Sequence, residues 1–141
     1  MLITVYRPTT YMHDIENRQD IEILINSFYD KVKKDETIGF IFNNIIGDDW
    51  SHHLPIMYNF WDMVLFSKPG YGGNPTRAHV DMDKRIPLEQ EHFDRWLELW
   101  NGTIDGLFTG ENADQAKNRG ALMANLIRIK IQMSRDGNLI Q

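Results

Sequence analysis

Apolar residues recur every three or four positions along four long stretches of this chain. No stretch holds the two-residue alternation of a half-buried strand. The first stretch opens at Asn17, an N-cap type with Asp20 three residues on in capping-box register. It carries Ile21, Leu24, Ile25, Phe28 and Val32 on one stripe, with Tyr29 at the edge. Gly39 breaks it, and Phe40 to Phe42 read as a short helical turn before a loop over 43–47. The second stretch runs from Asp48 or Asp49 to about Phe66 through Trp50, His53, Leu54, Met57, Phe60, Trp61, Val64 and Leu65. Pro55, in its second turn, removes one N–H and distorts the helix without ending it. The third begins at Pro87 or Leu88 and carries Phe93, Trp96, Leu97, Trp100, Ile104 and Phe108. The fourth, Glu111 to about Ser134, has Ala116, Gly120, Met123, Leu126, Ile127, Lys130 and Met133 as its stripe, with Gly120 marking a close backbone approach. This is an all-α pattern of four substantial helices.

A fifth, short helix lies between the second and third. After the Gly70-Tyr71-Gly72-Gly73 loop, Asn74 is an N-cap and Pro75 sits at the first helical position with φ already set. Residues 81–86 read as a linker to Pro87. A helix of roughly ten residues is too short to be stable alone in water, so what it presents explains it better than what it buries. It presents His79.

With 141 residues, 42% hydrophobic and 25% charged, the chain has the make-up of one soluble domain with a real core. Residues 1–16 have no clean period and read as an irregular or loosely docked arm before a domain over 17–141. A net charge of −5 argues against a nucleic-acid partner. The small basic cluster of Lys31, Lys33 and Lys34 is flanked by Asp30, Asp35 and Glu36, as on a solvated helix face. With no cysteine, disulfides and thiolate metal sites are excluded. The first residues lack a charged leader, and no run approaches the ~20 apolar residues of a membrane helix, so the expected location is cytoplasmic with no membrane partner.

Three polar-tipped aromatics lie on or beside apolar stripes of three different helices: Tyr29, His53 and Trp96. Each has a plain explanation taken singly. A stripe-edge Tyr usually points its hydroxyl at solvent, Trp96 among Phe93, Leu97 and Trp100 fills core, and His53 beside His52 suits a surface. His79 alone is an imidazole of unknown partner. Together they suggest convergence on one polar point in an apolar cavity, because buried hydroxyls and ring N–H groups are costly without partners. His92, flanked by charge, reads as a cap or ion-pair residue. No nucleophile elbow, zinc-protease motif or phosphate-cradling loop is present. The single Glu89-x-x-His92 match is too little for a carboxylate metal site.

In the order and spacing of its motifs the chain resembles the group III truncated haemoglobins. The carrying residues are Phe28-Tyr29-Asp30-Lys31-Val32, Ile41-Phe42-Asn43-Asn44, Trp50-Ser51-His52-His53, Asn59-Phe60-Trp61, Tyr71-Gly72-Gly73-Asn74-Pro75 with His79, and Pro87-Leu88 followed by Glu91 to Leu97. The resemblance runs from about Asn17 to Met133. It implies a two-over-two helical sandwich around one haem b (iron protoporphyrin IX), with His79 as the metal ligand through Nε2. It further implies Tyr29, His53 and Trp96 as the polar set on the opposite side, and Phe28, Phe42, Met57 and Phe93 as cofactor-lining residues. Arg77, Arg85, Lys68 and Tyr71 are candidates for the propionates by sequence proximity only.

A haem protein of this kind would take O₂, nitric oxide, CO or peroxide at an open axial position. Two hydrogen bonds to a partly charged oxygen, each worth about 1.5–3 kcal/mol, would slow its release by roughly two orders of magnitude or more. That favours chemistry on retained oxygen (peroxide reduction or nitric oxide dioxygenation, each needing an electron donor) over delivery. The alternatives are a gas sensor acting through a partner, against which the lack of an output domain counts, and a cofactor-free bundle, which has no need for a capped His79 helix.

Overall fold

A computed structural model describes residues 12–137, and within them the chain forms six α-helices and no strand. They are α1 (Arg18–Lys34), α2 (Gly39–Ile46), α3 (Trp50–Phe66), α4 (Pro75–Arg85), α5 (Gln90–Leu107) and α6 (Glu111–Arg135). α1 packs on α3, α5 packs on α6, and α1 also lies against α5, so one helix pair covers the other. α2 rests on α1, while α4 packs chiefly on α6. None of the described helices is long and apolar enough to cross a membrane.

The start of α1 follows its sequence. Asn17 Oδ1 accepts the Asp20 N–H at 2.9 Å, and the Asp20 carboxylate takes the Glu16 N–H at 2.9 Å, one residue further back than a capping box. Ile21, Leu24, Ile25, Phe28 and Val32 are fully buried, each worth about 1.5–3 kcal/mol relative to exposure. Residues 12–16 are irregular but not loose. Asp14 accepts the N–H groups of Asn112 and Ala113 at 2.9 and 2.8 Å, the His13 carbonyl takes the Thr109 N–H at 3.1 Å, and Ile15 is fully buried. Gly110, at φ 142°, makes this possible, because a Cβ there would overlap the Asp14 carboxylate. The rest of the expected arm, residues 1–11, lies outside the described residues.

Three boundaries differ from the sequence expectation. α2 has eight residues instead of one turn, because its asparagines do not act as breakers. The Asn43 amide donates to the Lys33 carbonyl and the Asn44 amide to the Phe40 carbonyl, and Gly47 ends the helix. α4 continues through the expected linker to Arg85, and α5 starts at Gln90, not at Pro87. The cause is Asp83, whose carboxylate accepts the Leu88 N–H at 2.8 Å and the Arg135 guanidinium at 2.6 Å, holding residues 86–89 as a connector. His92 then caps α5, its Nδ1 accepting the Glu89 N–H at 2.9 Å. On α6, Leu126 is exposed, and the buried face is Ala113, Ala116, Gly120, Ala124, Ile127 and Ile131. Small residues near the start of that face let α5 come close: Trp100 lies against Gly120 and donates its indole N–H to the Ala116 carbonyl at 3.0 Å. α3 runs through Pro55 as expected.

The core is in two parts. One joins α1, α3 and α5 around Phe28, Tyr29, Trp61 and Trp100. The other gathers Ile41, Val80, Leu88, Ile127 and Ile131 from α2, α4, α6 and the connector. Phe42 and Met123 pack against both.

Candidate haem site

His79 stands in the second turn of α4, a helix fixed at both ends. Asn74 Oδ1 accepts the Arg77 N–H at 3.1 Å at the start, and the Asp83–Arg135 pair holds the far end to α6. The His79 Nδ1 lies 2.6 Å from the Pro75 carbonyl, four residues earlier. A carbonyl only accepts, so Nδ1 carries the proton and Nε2 keeps its lone pair. Nε2 has no partner among the described residues and is not sealed away. Burial pushes the pKa of the ring below the ordinary value, opposed by the Pro75 hydrogen bond, although the residue keeps accessible surface. A neutral imidazole with its Nε2 lone pair free is the state a metal requires of histidine.

An aromatic group forms the other half of the site. Phe28 meets Tyr29 at 4.8 Å, Trp96 at 5.2 Å and Trp100 at 5.0 Å between ring centroids, all edge-on. Tyr29 in turn meets Phe42 at 5.7 Å and Trp50 at 5.4 Å. Trp96 stacks on Trp100 at 5.4 Å, and Trp100 on Trp61 at 4.6 Å. The Tyr29 hydroxyl, buried with only 7% of the residue exposed, has no hydrogen-bond partner among the described residues. Burial alone raises its pKa far above the usual phenol value. The Trp96 indole N–H is likewise without a partner among them.

Phe28, Tyr29, Phe42 and Trp96 are thus brought together, with Met57 packed on the same cluster. Phe93 belongs to the second cluster, with Val80 of α4, and Phe42 bridges the two. His53 stands apart. It is half-buried, its ring neighbour is His52 at 5.7 Å, and no ring or hydrogen-bond contact joins it to Tyr29 or Trp96 among the described residues. Of the propionate candidates, Arg77 is two positions from His79, about 200° round the helix axis, on the opposite face. Tyr71 packs its ring on Phe60 at 5.1 Å. Sequence reasoning placed Trp50 on a core stripe and missed it as a neighbour of Tyr29. It also missed the Pro75 carbonyl as the partner of His79, although the four-residue spacing was there to read.

The residues present fit a haem. α4 offers an imidazole with a free lone pair, and the aromatic cluster offers a hydroxyl and an indole N–H without partners among the described residues.

No family model matches the chain. It is 33% identical over 112 residues to the group 3 truncated haemoglobin ctb of Campylobacter jejuni, covering 77% of this chain and 86% of that protein. The crystal structure of a group III truncated haemoglobin from Campylobacter jejuni superposes with a TM-score of 0.76 at 31% identity, over 82% of this chain and 91% of that one. The chain belongs to the group III truncated haemoglobins.

Proposed function

We propose that this globin holds haem b through His79 Nε2 and retains O₂ for redox chemistry, either peroxide reduction or nitric oxide dioxygenation. Haem, when bound, supplies an open coordination position and one-electron redox chemistry. The chain supplies the rest. The Pro75 carbonyl fixes the His79 ring in one tautomer, and α4, anchored through Asp83, fixes its aim. On the opposite side Tyr29 and Trp96 are the hydrogen-bond donors for a diatomic ligand, and Phe28, Phe42 and Met57 exclude water around them. His53 joins this set through a turn of its side chain towards the pocket.

The observation that carries this reading is the Tyr29 hydroxyl, on a residue only 7% exposed and set among the rings of Phe28, Phe42 and Trp50, with no hydrogen-bond partner among the described residues. A buried hydroxyl costs stability unless something bonds to it, and a partly negative ligand oxygen is such a partner. A protein that only delivered oxygen would have no use for two strong donors there. The electrons come from a separate donor, since the described residues hold no cysteine pair or other redox couple.

The test is ligand kinetics on the purified haem-loaded protein. Reduction and CO should shift the Soret band, O₂ should leave slowly, and nitric oxide or peroxide should be consumed when electrons are supplied. Rapid O₂ release with turnover of neither would overturn the redox reading.

A further inference from the structure

We propose that the electron donor is an acidic protein and that it docks on the basic cleft between α4 and α6. This inference rests on the redox reading above. The cleft has a volume of about 290 Å³ and is lined by Arg77 and Lys84 of α4 and Lys130 of α6, with Asp81 as the one carboxylate, over a floor that includes Val80. None of the three cations has an ion-pair partner among the described residues, so their charge is not offset within the cleft except by Asp81. The whole chain is net −5, so this face is opposite in sign to the molecule that carries it. Unpaired cations gathered on an acidic protein steer a partner of negative surface and orient it as it arrives.

The position of the cleft points to electron delivery. Arg77 and Lys84 lie across the axis from His79, at about 200° and 140° round the helix, so the cleft and the imidazole share α4 as their wall. A helix with its side chains is about 10–12 Å across, and a donor seated on the outer face is therefore one helix thickness from the ring. With haem held by His79, one electron would pass from the donor's reduced cofactor, oxidised by one unit, to the haem, reduced by one. No bond or proton need move.

The experiment uses the haem-loaded ferric protein and a flavodoxin, an acidic flavoprotein, as the probe. Binding of oxidised flavodoxin is measured by calorimetry at low and physiological salt, for wild type, for the triple variant Arg77→Glu, Lys84→Glu, Lys130→Glu, and for the milder Arg77→Gln, Lys84→Gln, Lys130→Gln. Reduction rates with reduced flavodoxin and with reduced riboflavin, a small neutral donor, are measured alongside. Binding and the flavodoxin rate should fall about tenfold or more in the Glu variant and less in the Gln variant, and should fall with salt in wild type, while the riboflavin rate stays unchanged. Binding that ignores the substitutions overturns the docking surface and leaves the redox reading standing if both donors reduce the protein. Equal loss with riboflavin also overturns it, since the variant would then have disturbed the site itself. Charge-dependent binding with no reduction by either donor overturns electron delivery and the redox reading together. Stoichiometric binding of inorganic pyrophosphate lost in the Glu variant, with flavodoxin unaffected, overturns the proposal in favour of a small-anion site.

Discussion

Replacing Tyr29 by Phe separates two energies that act in opposite directions. In the protein without haem the hydroxyl has no partner among the described residues, and only burial acts on its ionisation. A hydroxyl that makes an internal hydrogen bond contributes about 0.5–1.5 kcal/mol, so deleting it destabilises. A buried one without a bond costs free energy, so deleting it is neutral or stabilising. Because the oxygen is not wholly sealed, the gain should be small, about 0–1 kcal/mol. Thermal unfolding of the haem-free Tyr29→Phe protein should therefore give a midpoint equal to wild type or a few degrees higher, up to about 5 °C. With haem and O₂ the sign reverses. A hydrogen bond to a partly charged oxygen is worth about 1.5–3 kcal/mol, and its loss should speed O₂ release about 10- to 100-fold. Stopped-flow displacement of O₂ by CO reads the rate. A haem-free protein destabilised by more than about 1 kcal/mol, together with an unchanged O₂ release rate, would show that the hydroxyl serves the fold and not the ligand.

Three further outcomes follow from the same geometry. His79→Ala should abolish or greatly weaken haem retention, read by the Soret absorbance, and leave the far-ultraviolet dichroism of the helices nearly unchanged, since the ring's hydrogen bond within the chain is to the Pro75 carbonyl. Gly120→Val should cost about 1–3 kcal/mol in urea unfolding, because a Cβ there would stand 2.8 Å from a Trp100 indole that is fully buried and tied to Ala116. The Arg135 guanidinium holds the Asp83 carboxyl below its ordinary value, aided by the Leu88 N–H and against the effect of burial. Its stabilisation is therefore complete above the unfolded carboxyl pKa of about 3.9 and is lost as pH falls through the lower folded value. Asp83→Asn should lower stability at neutral pH and flatten the acid limb of the urea midpoint plotted against pH, and parallel curves for the two proteins would refute the assignment.

Most of the helical plan was legible because it depends on local rules. The Asn17 cap, the Pro75 start and the three-and-four spacing of Ile21, Leu24, Ile25 and Phe28 need no knowledge of distant partners. The errors fall where a distant partner decides. Asn43 and Asn44 look like loop residues until the Lys33 and Phe40 carbonyls are found to take their amides. Residues 81–86 look like a linker until Arg135, fifty-two residues from Asp83, is found holding it. Leu126 has the spacing of a buried residue, but the face next to α5 must be made of small side chains for Trp100 to fit, and that demand arises on α5.

The candidate site stood out in the sequence for a different reason: its residues break the rules that their neighbours obey. Phe28 on the buried stripe needs no explanation, whereas a hydroxyl next to it on Tyr29, with no partner among the described residues, does. A helix of eleven residues that carries an imidazole whose Nε2 has no partner among the described residues, and directs its apolar Val80 and anchoring Asp83 to other parts of the fold, is the same kind of exception. Natural sequences tolerate such local costs where a ligand or cofactor offsets them. Tyr29 and His79 lie on helices that do not pack mainly on each other, and the two hydrophobic clusters behind them are bridged by Phe42 and Met123. A flat group held between the clusters, as proposed above, would account both for the division of the core and for the polar groups without partners among the described residues. Either feature alone would be an oddity of packing.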